Sequence, residues 1–70
     1  MSDLIDFEGE IIDVLPNQTF LVKLDPVGQE VRCYVSGKMR KNGIRLVLGD
    51  RVKIEMSPYD LTKGRIVFRL

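Results

Sequence analysis

The sequence predicts an all-β domain, a small barrel of five strands with one short helix between the third and fourth. Three observations predict it. Apolar and polar residues alternate over short runs, turn residues separate those runs at close intervals, and one segment alone, Ser36 to Asn42, is bounded by helix-type caps. Seventy residues make a single domain, read as 1–70, with one modest core, because a chain of this size buries only about 60–65% of its unfolded surface. At 44% apolar and 30% charged the chain is too apolar for disorder. No apolar run approaches the roughly 18 residues of a membrane span, so no membrane partner is expected.

The first predicted strand runs from Phe7 to Leu15. Its apolar residues change phase, from Phe7 to Ile12 and Val14, and Gly9 lies between them. A glycine inside a strand marks a bulge or sharp bend, which lets a long strand curl across a small barrel. Pro16-Asn17 supplies turn chemistry, and Thr19 to Leu24 follows with Phe20, Val22 and Leu24 on one face. Asp25-Pro26-Val27-Gly28 fits a type I turn. Glu30 to Val35 returns with Val31, Cys33 and Val35 inward and Arg32 and Tyr34 outward. Ser36 is then an N-cap and Asn42-Gly43 a stop, leaving a turn or two of helix anchored by Met39. Ile44 to Leu48 brings the chain back and Gly49-Asp50 turns it. Arg51 to Met56 alternates with Val52, Ile54 and Met56 inward. Ser57 to Gly64 reads as a polar loop. Arg65 to Leu70 closes the domain, with Ile66, Phe68 and Leu70 in the buried phase. This order is that of the OB-fold, a five-stranded Greek-key barrel that binds oligonucleotides on its second and third strands and adjoining loops. An SH3-like barrel shares the strand count but has no place for the Ser36 to Asn42 segment.

The formal charge of +1 hides a polarised chain. Residues 1–31 hold seven acids (Asp3, Asp6, Glu8, Glu10, Asp13, Asp25, Glu30) against Lys23, a net −6. Residues 32–70 hold ten bases (Arg32, Lys38, Arg40, Lys41, Arg45, Arg51, Lys53, Lys63, Arg65, Arg69) against Asp50, Glu55 and Asp60, a net +7. A concentrated positive field attracts phosphate backbones or an acidic protein surface, although strands from the two halves can pair and mix the signs.

Missing residue types exclude much chemistry. With no His, no Trp and one Cys, the chain has no internal disulfide, Cys/His zinc site or histidine triad. Glu8 and Glu10 have no base or phosphate-cradling loop near them. No catalytic residue, metal or cofactor is expected, and the protein is read as a non-enzyme. The lone thiol Cys33 and the absence of a signal-like N-terminus fit a cytoplasmic or organelle-stromal protein.

The candidate binding residues are bases outside the apolar phase: Lys38, Arg40, Lys41 and Arg45 in the helix and its exit, Lys63 and Arg65 near the last loop, and Arg32 on strand three. Lys38 to Arg45 holds four bases in eight residues with no acid between them. Such a run costs stability by repulsion and is better explained by an external anion than by a solvated face. Arg grips phosphate oxygens with a planar fork and Lys acts as a point charge. With Phe7, Phe20 and Phe68 assigned to the core, only Tyr34 and Tyr59 remain to stack on bases. That is too thin a platform for a single-strand binder of cold-shock type, so backbone contact and shape should dominate. Asp60 is expected to cap its own turn.

Four segments together resemble one family: Leu15-Pro16-Asn17 followed by Phe20, VSGKMRKNGIR from Val35 to Arg45, GDRVKIE from Gly49 to Glu55, and SPYDLTKGRIVFR from Ser57 to Arg69. They are similar to bacterial and plastid translation initiation factor one, over nearly the whole chain. The resemblance implies a monomeric OB-fold protein that binds the small ribosomal subunit at the decoding A site and touches ribosomal RNA and a neighbouring ribosomal protein. It also implies blocking of premature tRNA entry, support of the other two initiation factors, and residence in the cytoplasm or a plastid stroma. The family's RNA-contacting motif falls on Lys38, Arg40, Lys41, Arg45, Lys63 and Arg65, with Tyr34, Tyr59 and Arg69 beside them. Two departures stand out. Many members carry a bulky aromatic where this chain has Gly43, and the Asp25 to Gln29 turn is longer and holds Pro26. The acidic stretch of Asp3, Asp6 and Glu8 is expected to face solvent or protein. Other readings of the same residues are a free single-stranded RNA binder or RNA chaperone, and a protein-interaction barrel docking an acidic partner.

Overall fold

The structure is a computed structural model that describes residues 4–25, 27–43 and 45–70. Asp3, Pro26 and Ile44, on which parts of the sequence reading fall, lie outside the described residues. Within the described residues the chain forms β1 (Ile5–Leu15), β2 (Thr19–Leu24), β3 (Glu30–Val35), α1 (Gly37–Lys41), β4 (Arg51–Ser57) and β5 (Asp60–Arg69). The strands close a barrel in the order β1-β2-β3-β5-β4, with β3 and β5 parallel and the other neighbours antiparallel. This is the OB-fold expected from the strand order. No helix among the described residues is long and apolar enough to cross a membrane.

The core follows the alternation. Val22 and Leu24, Val31 and Cys33, Val52, Ile54 and Met56, and Ile66 all point inward, and Phe20, Met39 and Leu46 close the ends. Phe7 and Val35 pack against this cluster, partly buried. Burial of Cys33 in apolar surroundings pushes its thiol up to about 12, because the thiolate would lose its hydration there.

Long β1 belongs to two walls. Its first half pairs with β4 through Glu10↔Arg51, and its second half pairs with β2 from Gly9↔Leu24 onward. At Gly9 a Cβ would stand 2.6 Å from the Lys23 carbonyl oxygen and 2.6 Å from Val22 Cγ1. Glycine is required there by close approach of the next strand. The register slips one step further on, between Ile11 and Asp13. Ile11 therefore fills the core, while Ile12 is only partly buried and Val14 is exposed. The phase change expected in β1 is real, but the extra residue is at Ile12 rather than at Gly9.

Two expectations for the last third of the chain are corrected. Ser57 to Gly64 is not a loop: Ser57 pairs with Asp60 across a two-residue turn, and β5 already begins at Asp60. Its polar residues misled because Lys63 and Gly64 leave β4 and find their backbone partners on β3, opposite Arg32 and Cys33. Phe68 and Leu70 are not in the core; they are 59% and 54% exposed. Ile54 pairs with Ile66 but the adjacent Lys53 pairs with Phe68, so Val67 is an extra residue on β5. That bulge reverses the alternation and turns Phe68 outward beside Lys53.

Candidate nucleic-acid interface

The helix carrying the basic run is short and locally specified. Ser36 is extended (φ −64°, ψ 155°), and its hydroxyl accepts a hydrogen bond from the Met39 amide at 3.3 Å. Its own amide donates to the Ile66 carbonyl at 3.0 Å, which ties the start of α1 to β5. Met39 is buried beneath the helix. Asn42 and Gly43 donate back to Lys38 and Arg40 carbonyls. Gly43 has φ +68°, and a Cβ added there would meet nothing within 4 Å. It supplies the left-handed stop of the helix. Lys38, Arg40 and Lys41 are exposed around the last turn, where cations also suit the helix dipole.

Beyond the helix, the chain brings Arg45 back to the barrel. Arg40 and Arg45 line an open hollow of about 740 Å³ with Gln18, Phe20, Val35 and Leu46. The loop is held by Val47, whose amide donates to Asp50 Oδ2 at 3.0 Å, and by reciprocal backbone bonds of Asp50 and Gly49 with Ile11. Arg69 Nη1 donates to the Arg45 carbonyl at 3.1 Å. The β5 bulge explains that contact, since it sets Arg69 opposite the inward-facing Val52 instead of in phase with Arg65.

A second group forms on the outer wall of β3 and β5. Parallel pairing places Arg32 beside Lys63 and Tyr34 beside Arg65. Tyr34 is 49% exposed, and Tyr59 at the tip of the β4–β5 turn is 88% exposed. The tip is fastened by Asp60, whose Oδ1 accepts from the Thr62 amide at 3.1 Å and from the Thr62 hydroxyl. Those hydrogen bonds lower the Asp60 pKa below the ordinary carboxylate value. The expected capping role of Asp60 is therefore present.

Among the described residues three ion pairs form: Arg51 with Asp25, Lys53 Nζ with Asp6 Oδ2 at 3.7 Å, and Arg65 Nη2 with Glu55 Oε1 at 2.8 Å. The carboxylates of the first half thus engage bases of β4, which were not candidates. Lys38, Arg40, Lys41, Arg45, Lys63 and Arg69 make no ion pair among the described residues. Arg65 is only partly exposed, and its Glu55 hydrogen bond raises its pKa further despite partial burial. Sequence reasoning missed Glu55 as the partner of Arg65. Its signal was present, because Arg51, Lys53 and Glu55 share the outward phase of β4. Among the described residues no group of three or more His, Cys, Asp or Glu is placed to hold a metal ion.

Chemically, the two groups offer guanidinium and ammonium donors on exposed side chains, with two tyrosine faces and no nucleophile–base pair among them. That arrangement suits a polyanion with some unstacked bases.

Comparison with known proteins gives the same direction. A family model described as translation initiation factor 1A / IF-1 matches residues 3–70. The solution structure of translation initiation factor IF-1 from the Wolbachia endosymbiont strain TRS of Brugia malayi superposes with a TM-score of 0.79 at 49% identity, covering 96% of this chain and 78% of that one. Two larger proteins contain a similar barrel. YjeQ from Thermotoga maritima has a TM-score of 0.78 at 24% identity, and YloQ, a circularly permuted GTPase, has 0.76 at 22%. This chain spans 23% of each of them, and the likeness is one of fold.

Proposed function

The chain belongs to the translation initiation factor 1A / IF-1 family, and from that premise we propose that it binds the small ribosomal subunit at the decoding A site through ribosomal RNA. A rigid barrel occupying that site blocks premature tRNA entry by bulk, and no hydrolysis is needed. Lys38, Arg40, Lys41 and Arg45 from the helix and its exit, with Lys63 and Arg65 from β5, grip phosphates. Tyr34 and Tyr59 stack where bases are unpaired, and Arg69 holds the Arg45 loop in place. Coupling to the other two initiation factors follows if bound factor favours one conformation of the subunit, by differential affinity for its states. A neighbouring ribosomal protein completes the site. The protein acts as a monomer in the cytoplasm or a plastid stroma.

One observation carries this reading: Lys38, Arg40, Lys41 and Arg45 of the helix and its exit, with Arg32 and Lys63 of the β3–β5 wall, have no carboxylate partner among the described residues, whereas Arg51 and Lys53 of β4 and Arg65 of β5 are engaged. An external polyanion supplies the missing charge. The test is a titration of the protein onto isolated small subunits. One saturable site per particle is expected. If about five phosphates are neutralised, log affinity falls against log salt with a slope of roughly −3.5 to −4.5. Binding confined to free single-stranded oligonucleotides, or a flat salt response, contradicts it.

A further inference from the structure

The wall that carries Tyr34, Lys63 and Arg65 also carries a carboxylate that simple electrostatics would remove. Glu55 lies in a row that runs around the barrel, with Asp6 opposite it on β1 and Arg65 opposite it on β5, followed by Tyr34 on β3. Two carboxylates directly across a strand pair repel each other. Lys53 engages Asp6, and Arg65 engages Glu55 at 2.8 Å. The Glu55 side chain is 29% exposed against 42% for Arg65. Glu55 is thus the less exposed partner of the pair. Glu55, Arg65, Tyr34 and Lys63 line one open hollow with Ser57.

Arginine has five N–H donors in a fixed fork. Among the described residues one side-chain contact engages Arg65, through Nη2 alone. The remaining donors are unspent, while the long side chain has already given up much of its freedom. A guanidinium fixed in advance loses less entropy when it meets phosphate than a mobile one does.

We propose that Glu55 is a positioning residue for RNA recognition: it fixes the Arg65 guanidinium beside Tyr34 before RNA arrives, and its charge repels phosphates that approach in any other geometry. This inference rests on the RNA-binding reading given above and assigns it a residue that opposes RNA by charge alone.

The test measures affinity of the full chain for two probes, purified small ribosomal subunits and poly(U). Glu55→Ala is expected to weaken subunit binding by about five- to tenfold, the size of one lost charge-assisted contact, while poly(U) binding tightens by about twofold. Glu55→Gln keeps an oxygen for Arg65 Nη2, so it should retain near-normal subunit affinity and show only the poly(U) gain. In an Arg65→Ala background, Glu55→Ala should no longer weaken subunit binding, because nothing remains to be positioned. If Glu55→Ala and Glu55→Gln tighten both RNAs alike, Glu55 only neutralises charge and the proposal is overturned, with the binding reading intact. If Arg65→Ala leaves subunit affinity unchanged, Arg65 is not an RNA contact; that part of the binding reading fails, and positioning through it fails as well.

Discussion

The β1–β4 wall and the β3–β5 wall are both made of barrel strands but carry charge differently. On β1 and β4, Glu8 faces Lys53 and Glu10 faces Arg51 while Asp6 faces Glu55, and the bases are engaged by acids, Lys53 diagonally by Asp6 and Arg51 by Asp25 from the end of β2. On β3 and β5, Arg32 faces Lys63 and Arg65 lies beside Tyr34, and the neighbouring helix adds Lys38, Arg40 and Lys41. Like charges placed opposite one another weaken a sheet, and exposed pairs such as those of β4 give little stability in return. The contrast teaches that charge on this barrel is not distributed for folding. Folding is carried by the interior.

The comparison breaks most sharply under charge reversal. Arg40→Glu combined with Arg45→Glu, on either side of the 740 Å³ hollow, should lower affinity for small subunits by about 100-fold or more, given roughly tenfold for each lost charged contact. Lys53→Ala on the other wall should change it by less than about twofold. Competition binding with labelled wild-type protein measures both, and equal effects would erase the distinction between the walls.

The next largest effects concern stability and separate the interior from both faces. Ile54→Ala empties a fully buried position and should cost about 2–5 kcal/mol in denaturant unfolding. Gly9→Ala should cost about 1–3 kcal/mol, because the new methyl meets the Lys23 backbone oxygen, which cannot move aside, as well as Val22 Cγ1. By contrast Arg51→Ala, which removes an exposed ion pair, should leave the melting temperature almost unchanged.

Cap and thiol give smaller, sharper tests. Ser36→Ala removes the acceptor for the Met39 amide and should cost about 0.5–2 kcal/mol, with a modest loss of subunit affinity because the basic helix loosens. Cys33 should resist thiol reagents at about pH 8 until the barrel unfolds. Its folded pKa lies near 12, above the ordinary thiol value. Between those values the unfolded chain has lost a proton that the folded chain keeps, so stability should fall as pH rises from about 9 toward 12. A pH-independent melting temperature in that window would contradict the burial of the thiol.

How much of this was legible in the sequence follows from what the alternation of side chains can encode. Thr19–Leu24 and Glu30–Val35 appear in the structure with the expected bounds, because each is an uninterrupted strand with one apolar face. The helix was legible from its caps, Ser36 and Asn42-Gly43. Phe68 was not, because a bulge changes the meaning of every later position and residue Val67 carries no mark of being the extra one. The start of β5 was hidden for a related reason. Asp60 to Lys63 are exposed and mostly polar, with Asp60 paired across the tight turn to Ser57 and Lys63 paired with Arg32 on a parallel strand distant in sequence. For the site, composition identified the cations and the turn signals placed them, but the pairings that divide engaged bases from unengaged ones depend on strand order. Asp25 reaching Arg51 is a consequence of barrel closure, and Glu55 reaching Arg65 of the register of the β4–β5 hairpin.

The central claim is that the β3–β5 wall and the basic helix face the RNA. A density map of the protein bound to the small ribosomal subunit tests it most directly. Ribosomal RNA backbone is expected against Arg40, Arg45, Lys63 and Arg65, with Glu8 and Lys53 turned away from it. A map in which the β1–β4 wall lies on the RNA and the helix points into solvent would contradict it.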